Sequence, residues 1–492
     1  MFAAGSNYNL NFSRYSLPTY KFKTILMNEM PEITDQTKIP LNRAIGLTTA
    51  ILLVAGNIIG TGVFKKIVPM AQTGLNEWYI IAAWILAGII TLLGAFTIAG
   101  LSKLTTVSGG MYEYMRLCFG NFSAFFLGWT GFTIFCSGSM AAIAFIFAQS
   151  VNSIIPLPNP LAHFKDLSIG DFIFPFADSG IKILALAAIA LLTWLNYRGV
   201  KKGTLLNNIV TGTKILGILF LIVLGLFFFG RLEPNNTMQL VVSEKTGTIS
   251  IFFGAMLSAF WAYDGFANVG FVTGEIKNPK RNVAMAIITG VSIVIVLYLL
   301  VNYAYIKTLG LKQIAGLSEN NIAATAMASS ILGNGGKTLI SFLIMLSSLG
   351  TLNVVIIFYA RLYFRMAQEK AFFKSAAKVH PVYRTPYMAL IYSMVWGMIL
   401  VVSGTFDKLT DMAIFSGFLF YALLAVGLIK MKRNGAIKEI VACYPWAPII
   451  FILFSIGLLI STFINQPKLS FIGLGLMLTS IPFYYFFKRM NK

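Results

Sequence analysis

Gly56, Gly60, Thr61 and Gly62 interrupt one apolar run, from Ile51 to Phe64, and Tyr263, Asp264 and Gly265 interrupt another, from Met256 to Phe266. Inside a hydrocarbon medium every backbone N–H and C=O must find its partner within the protein, so such breaks are tolerable only where the freed groups line a cavity or hold a ligand. In the first run, Gly60, Thr61 and Gly62 precede Val63 and Phe64, where the helix is expected to resume. The start of that second half-helix presents unpaired N–H groups and a positive dipole end, which suit a carboxylate. Thr61 adds a hydroxyl, and the glycines let the backbone approach a ligand with no Cβ in the way. The competing reading is close helix packing through the small pair Gly56 and Gly60.

The second run complements the first. With Phe260, Trp261 and Ala262 at the end of a half-helix, their free carbonyls and the negative dipole end favour an ammonium. Trp261 is large enough to cap a small ligand, or to pack against neighbouring helices. Asp264 is a carboxylate at mid-span, costly there without a cavity or partner. It either touches the ligand or holds the unwound segment by accepting backbone N–H bonds. N–H groups on one side and carbonyls on the other describe a receptor for a zwitterion, and hence for an α-amino acid. Lys214 is the remaining outlier, too deep in its apolar run to reach either end easily. Ser347, Ser348 and carbonyls near Gly56 are its expected partners, with its ammonium standing in for a bound ion; the alternative is a structural lysine bonded to helix carbonyls.

These residues need long apolar helices to position them. The chain of 492 residues is 57% hydrophobic and 11% charged, against about 25% charged in soluble domains. Twelve membrane-spanning helices are predicted, at about 45–64, 78–100, 122–148, 181–196, 206–230, 250–273, 283–306, 338–360, 387–404, 411–430, 446–464 and 470–487. The first and sixth carry the breaks at matching depths and open blocks of five spans over 44–231 and 249–431. An odd number of spans per block inverts the second copy, which gives a 5+5 inverted repeat with a site at the repeat interface. Two further spans over 445–488 stand outside it. The stretch 104–116 reads as a surface or re-entrant helix, and the loop 361–386, with six basic residues, as holding another short one.

The net charge of +21 is topological. Of 38 Lys and Arg, 26 fall in the tails and the connections after even-numbered spans, 11 in the connections after odd-numbered ones, and Lys214 within a span. This positive-inside bias puts both termini in the cytoplasm and removes the case for nucleic-acid binding. Residues 1–43 form a cytoplasmic tail without a signal-peptide pattern; Met27 and Met30 are alternative starts that would leave 1–26 untranslated. Cys118, Cys136 and Cys443 all avoid the expected external loops, so no disulfide framework is implied. His163 and His380 lie on opposite sides, and no metal site, catalytic group or cofactor motif can be assembled.

At these residues the chain resembles the amino acid–polyamine–organocation superfamily, most closely its L-type amino acid transporter branch. The resemblance rests on Gly56-Asn57-Ile58-Ile59-Gly60-Thr61-Gly62-Val63-Phe64, on Ser108-Gly109-Gly110-Met111-Tyr112 with Phe119-Gly120 and Gly128-Trp129, and on Asn196-Tyr197-Arg198-Gly199-Val200-Lys201 with Lys214. It continues in Phe260-Trp261-Ala262-Tyr263-Asp264-Gly265, in Gly274-Glu275-Ile276-Lys277-Asn278-Pro279-Lys280-Arg281-Asn282, and in Ser347-Ser348-Leu349-Gly350-Thr351-Leu352-Asn353 with Arg361. It implies a LeuT-type fold, alternating access, carboxylate contacts at Gly60, Thr61 and Gly62, amine contacts at Ile58, Trp261 and Ala262, and a lysine replacing sodium at 214. Phe266 and Ala267 depart from the Trp and Asn common in the family, which bears on the pocket lining. The connection 149–180 lacks the cysteine through which animal members attach a glycoprotein subunit, so no disulfide-linked heavy subunit is expected.

The resulting expectation is a multi-pass protein of the plasma (inner) membrane that moves a neutral L-amino acid by alternating access. A Lys214 that keeps its charge suits an exchanger or facilitator; one that cycles suits proton symport. A cationic amino acid or polyamine is the alternative substrate class, on the strength of Asp264. A non-transporting sensor is the reading from another class, though the tails and loops are short for a signalling domain. The scarcity of His and of paired carboxylates argues against an enzyme.

Overall fold

The computed structural model describes residues 43, 45–105, 109–169, 173–199, 203–227, 248–318 and 320–490. The tail up to 42, with its alternative starts, Ser108, Val200, Lys201 and the connection 228–247 lie outside the described residues. Among the described residues there is no β-strand; the elements are helices.

The first expected span is three pieces, α1 (Leu47–Ile58), α2 (Gly62–Lys65) and α3 (Ile67–Gln72). α2 and α3 run on through Lys66, which keeps right-handed helical angles, so the second half-helix reaches Gln72 and not Phe64. α4 (Glu77–Leu101) starts at Asn76, whose side chain accepts the Tyr79 N–H at 3.1 Å, with Glu77 in the first turn complementing the dipole. α5 (Gly110–Phe119) is the short helix expected over 104–116.

The third span is α6 (Asn121–Thr130) and α7 (Cys136–Ile154), joined by a π-helical turn over Gly131–Phe135. The wide turn frees carbonyls, and other helices satisfy them: Tyr363 Oη donates to the Gly131 carbonyl at 3.4 Å and Trp396 Nε1 to the Thr133 carbonyl at 2.9 Å. α8 (Ser179–Tyr197), α9 (Gly203–Phe227) and α10 (Thr248–Tyr263) follow, and a 3₁₀ segment, Phe266–Glu275, continues from α10. α11 (Pro279–Leu309) opens with Pro in its first turn, and the single-turn α12 (Leu311–Ala315) follows it.

α13 (Ala323–Gln368) is 46 residues long but bends at Gly333, so the eighth span is preceded by a separate short helix. α14 (Tyr387–Ser403), α15 (Phe406–Arg433), α16 (Trp446–Asn465), α17 (Pro467–Leu478) and α18 (Ser480–Met490) complete the chain. The last two are one expected span divided at Thr479. Nine helical segments among the described residues are long and apolar enough to cross a membrane; Leu47–Ile58, Gly212–Phe227 and Tyr387–Ser403 are shorter apolar helices at the first, fifth and ninth expected positions.

Both breaks fall later than expected. Gly56 lies inside α1, and the non-helical residues are Ile59, Gly60 and Thr61. One glycine costs about 1 kcal/mol in a helix, too little to open it without replacement hydrogen bonds. At 59–61 those replacements exist: Ile59 N donates to the Ala55 carbonyl at 2.7 Å and Gly60 N to the Ile58 carbonyl at 2.6 Å. Likewise α10 runs through Phe260, Trp261 and Ala262 to Tyr263, and the chain turns at Asp264 and Gly265, where Gly265 takes φ +106°. α1 packs on α11 and on the 3₁₀ segment, α10 on α4 and α16, and α13 on α7 and α9. The two breaks therefore meet in the middle of the bundle.

Candidate substrate site

A cavity of about 50 Å³ lies where the breaks meet. One water needs roughly 10–15 Å³ on this measure, so the space suits a small polar solute. Ile58, Gly60, Thr61 and Gly62 line it from the first break, and Trp261, Asp264, Gly265 and Asn268 from the second. Ser139 and Ile143 of α7 and Thr351, Val355 and Tyr359 of α13 close the remaining walls.

The three residues expected to hold a carboxylate, Gly60, Thr61 and Gly62, all line the cavity. Thr61 immediately precedes α2, and its Oγ1 is buried with no hydrogen-bond partner. A buried orphan hydroxyl costs about 1–3 kcal/mol, which a ligand in the cavity would recover. The first N–H groups of a helix have no acceptor within it, and a Cβ on Gly60 would meet nothing nearer than the Ile58 carbonyl at 3.7 Å.

The amine half differs in detail. The Ile58 carbonyl already accepts from Tyr298 Oη at 2.9 Å and from Gly60 N, which occupies both lone pairs. Phe260 faces away from the cavity and packs between Phe418 and Phe454, with ring centroids at 4.5 and 5.6 Å. Ala262 is not a lining residue either; it abuts Gly62. α10 stays helical through Tyr263, so the carbonyls of Phe260 and Ala262 are not freed at a helix end as expected, and neither residue lines the cavity. Trp261 does line the cavity, and its ring stands edge-on to Phe406 at 6.3 Å.

Asp264 lines the cavity while its Oδ1 accepts from Tyr421 Oη at 2.8 Å, and the Gly265 backbone also bonds its carboxylate. Phe266 stacks on that same Tyr421 at 5.1 Å and does not reach the cavity. Tyr421 lies 157 residues from Asp264, and nothing local in the sequence could have paired them.

Lys214 is buried beside the cavity. Its Nζ donates to the Gly56 carbonyl at 3.1 Å and to Thr351 Oγ1 at 2.6 Å. Gly56 is thus a lysine acceptor and not a cavity wall. Ser347 contributes its carbonyl, which accepts from Thr351 Oγ1 at 2.9 Å, while its own hydroxyl is buried and unpartnered. Ser348 bonds back to its own helix through the Ile344 carbonyl. Thr351 is the residue the sequence reading missed, although it stands one helical turn beyond Ser347 on the same face.

Beyond the cavity, α2–α3 is tied to its neighbours by buried charge. Lys66, fully buried, bonds Asp407 at 2.7 Å and reaches Asp411 at 3.5 Å, and Lys65 Nζ donates to Gln149 at 3.0 Å. Both ammonium groups also sit over the Phe406 ring, at 4.4 and 5.1 Å.

Residues 45–487, almost the whole described bundle, match the model of the family described as amino acid permease. The chain belongs to the amino acid permease family. It is similar to the serine/threonine exchanger SteT of Bacillus subtilis (strain 168), at 29% identity over 91% of this chain and 98% of that protein. It is also similar to the large neutral amino acids transporter small subunit 2 of Mus musculus, at 28% identity over 91% of this chain and 81% of that protein. The Asc-type amino acid transporter 1 of Homo sapiens matches at 26% identity over 91% of this chain and 83% of that protein. This permease is therefore an integral, multi-pass membrane protein and not an enzyme.

Proposed function

We propose that this permease exchanges small neutral L-amino acids by alternating access, with the cavity between the two helix breaks as its substrate site. The observation that carries the reading is the orphaned, buried Thr61 hydroxyl at the start of the second half-helix, aimed at a cavity the size of a small solute. Gly60, Thr61 and Gly62 hold the carboxylate, and Trp261, Asp264 and Asn268 face the rest of the molecule. The names of the relatives, a serine/threonine exchanger and neutral amino acid transporters among them, support the same substrate class. Asp264 is a weak candidate for binding a cationic side chain, because Tyr421 and the Gly265 backbone already engage it.

Lys214 holds α1 to α13 through Gly56 and Thr351, in the role the resemblance assigns to a bound sodium ion. A lysine that keeps its charge through the cycle favours exchange or facilitation, and one that loses its proton would favour proton symport. The twelve-span count, the 5+5 inverted repeat, cytoplasmic termini, residence in the plasma (inner) membrane and function without a disulfide-linked heavy subunit complete the proposal.

Uptake of labelled serine into proteoliposomes of the full chain tests it. Serine loaded inside should speed entry severalfold, and a pH gradient across empty vesicles should not drive accumulation. Accumulation driven by that gradient alone would overturn the exchanger assignment, and labelled serine that binds but never enters loaded vesicles would point to the sensor.

A further inference from the structure

Among the described residues that line the substrate cavity there is one carboxylate, Asp264, and no lysine, arginine or histidine. The groups that act on Asp264 are both neutral donors. Tyr421 Oη donates to its Oδ1 at 2.8 Å, and the Gly265 backbone bonds the carboxylate from its own turn. Lys214 directs its ammonium to the Gly56 carbonyl and Thr351 Oγ1 instead. A buried charge is costly unless it is paired or hydrogen-bonded, and a carboxylate in a small cavity would ordinarily draw a cationic ligand. Here a phenol takes that place.

The phenol sits behind the wall and not in it. Tyr421 is buried on α15 and does not line the cavity, so its bond draws Oδ1 toward α15. It is also held at both ends. Asp264 takes the hydroxyl, and Phe266 stacks against the ring with centroids 5.1 Å apart and 27° between the planes. Phe418 stands edge-on to the same ring at 6.2 Å. Gly265 lies between the two residues that grip Tyr421 and takes φ +106°, where a Cβ would stand 2.8 Å from the Asn57 carbonyl oxygen. This left-handed turn lets Asp264 and Phe266 reach one tyrosine. A hydroxyl fixed by a bond, a stack and a backbone turn is preorganised, and it does not swing aside when a ligand enters.

We propose that Tyr421 is a positioning residue that makes the permease selective for neutral over cationic amino acids, by holding the Asp264 carboxylate toward α15 and away from the substrate side chain. The proposal rests on the cavity being the substrate site, and it names the residue that excludes one substrate class from it. A side-chain ammonium entering the cavity must shed its water, and it recovers that cost only against a carboxylate free to pair with it directly. With Tyr421 in place, such pairing must displace a charge-assisted hydrogen bond. A hydroxyl side chain meets no such demand. Without the phenol oxygen, the same carboxylate becomes the counter-ion of a cationic substrate.

The test compares homoserine with α,γ-diaminobutyrate, which differ in one terminal group, a hydroxyl in the first and an ammonium in the second. Each is offered outside proteoliposomes of the full chain loaded with labelled serine, and serine efflux reports its entry. The native protein should prefer homoserine at least tenfold. Tyr421→Phe keeps the ring and its stack on Phe266 and deletes the oxygen. A hydrogen bond to a charged group corresponds to roughly tenfold to a hundredfold in affinity, so the preference should move toward α,γ-diaminobutyrate by at least tenfold. Tyr421→Phe/Asp264→Asn should cancel that move, because no carboxylate remains to pair. A tyrosine with a merely structural role would lower both substrates together and leave their ratio alone. Phe266→Leu removes the stacked ring but keeps an apolar side chain, and it should move the ratio the same way by less; it decides the matter alone should Tyr421→Phe not fold. A native protein that takes both substrates equally, a ratio unmoved by the single variants, or a shift that survives Asp264→Asn would overturn the proposal while serine exchange upheld the site. A native protein that exchanges no serine at all would instead defeat the reading of the cavity on which the proposal rests.

Discussion

A Cβ placed on Gly62 would stand 2.6 Å from the Ala262 Cα, so the two broken helices touch backbone to backbone at this pair. No flexible side-chain end can yield there, and Trp261 Cδ1 lies only 3.0 Å from the same position. The contact sets the distance between the Gly60–Gly62 turn, the proposed carboxylate site, and the Trp261 wall. Gly62→Ala should part the half-helices by a few tenths of an ångström or more, and serine exchange should fall at least tenfold, since misplacement of about 1 Å can cost a hundredfold. Gly60→Ala, whose Cβ meets only the Ile58 carbonyl at 3.7 Å, should be the milder of the two. Equal initial rates for these variants in matched proteoliposomes would contradict the role given to the Gly62 contact.

Thr61 Oγ1 has no partner within the protein, so its contribution should appear only with ligand present. Thr61→Val keeps the shape and deletes the hydroxyl. One hydrogen bond of about 0.5–1.5 kcal/mol, more to a charged group, corresponds to an affinity loss of roughly threefold to tenfold. The apo protein should be equally stable or slightly more so, because a buried unsatisfied group is removed. Thermal unfolding with and without serine would separate the two effects, and a variant destabilised without ligand but unchanged in affinity would contradict the assignment.

The fold was legible from hydropathy, and the existence of two breaks from Gly60-Thr61-Gly62 and Asp264-Gly265. Their register was not. Glycines mark where a helix is free to open, but Gly56 stays helical because opening depends on which replacement bonds form, and these come from Ala55, Ile58 and distant Tyr298. The same limit hid Thr351 and Tyr421. Each is an ordinary residue in an apolar helix, and only tertiary packing brings it to Lys214 or Asp264. Lys65 and Lys66 were counted as charges of a connection, yet both are buried, because α2–α3 extends the helix past them.

Lys214 joins α1 to α13 through the Gly56 carbonyl and Thr351 Oγ1. Lys214→Met keeps the length and removes the charge; exchange should drop by an order of magnitude or more while the purified protein stays folded by circular dichroism. Thr351→Val removes one of the two bonds and should have an intermediate effect. The double variant should be no worse than Lys214→Met alone, because coupled residues are not additive. Additive losses would mean that Thr351 acts on substrate directly and not through the lysine.

Lys66, Asp407 and Asp411 tie α2–α3 to α15, Gln466 Nε2 donates to Asp411 at 3.0 Å, and the cluster is placed to act as a seal on that side. Alternating access requires such a seal to break and reform. A buried pair stripped of one partner typically costs about 3–5 kcal/mol, and here the cost falls on the closed arrangement, since opening would let water reach the stranded carboxylates. Lys66→Met should therefore shift the population toward the form open on that side. Ser139 lines the cavity, so Ser139→Cys supplies a reporter thiol. Its labelling by a membrane-impermeant maleimide, applied from the side of α2–α3, should rise severalfold in the Lys66→Met background. Asp407→Asn should raise it less, because Asp411 still faces the lysine. Labelling unchanged by both substitutions would mean that the ion pairs only fasten α2–α3 to α15 and take no part in opening.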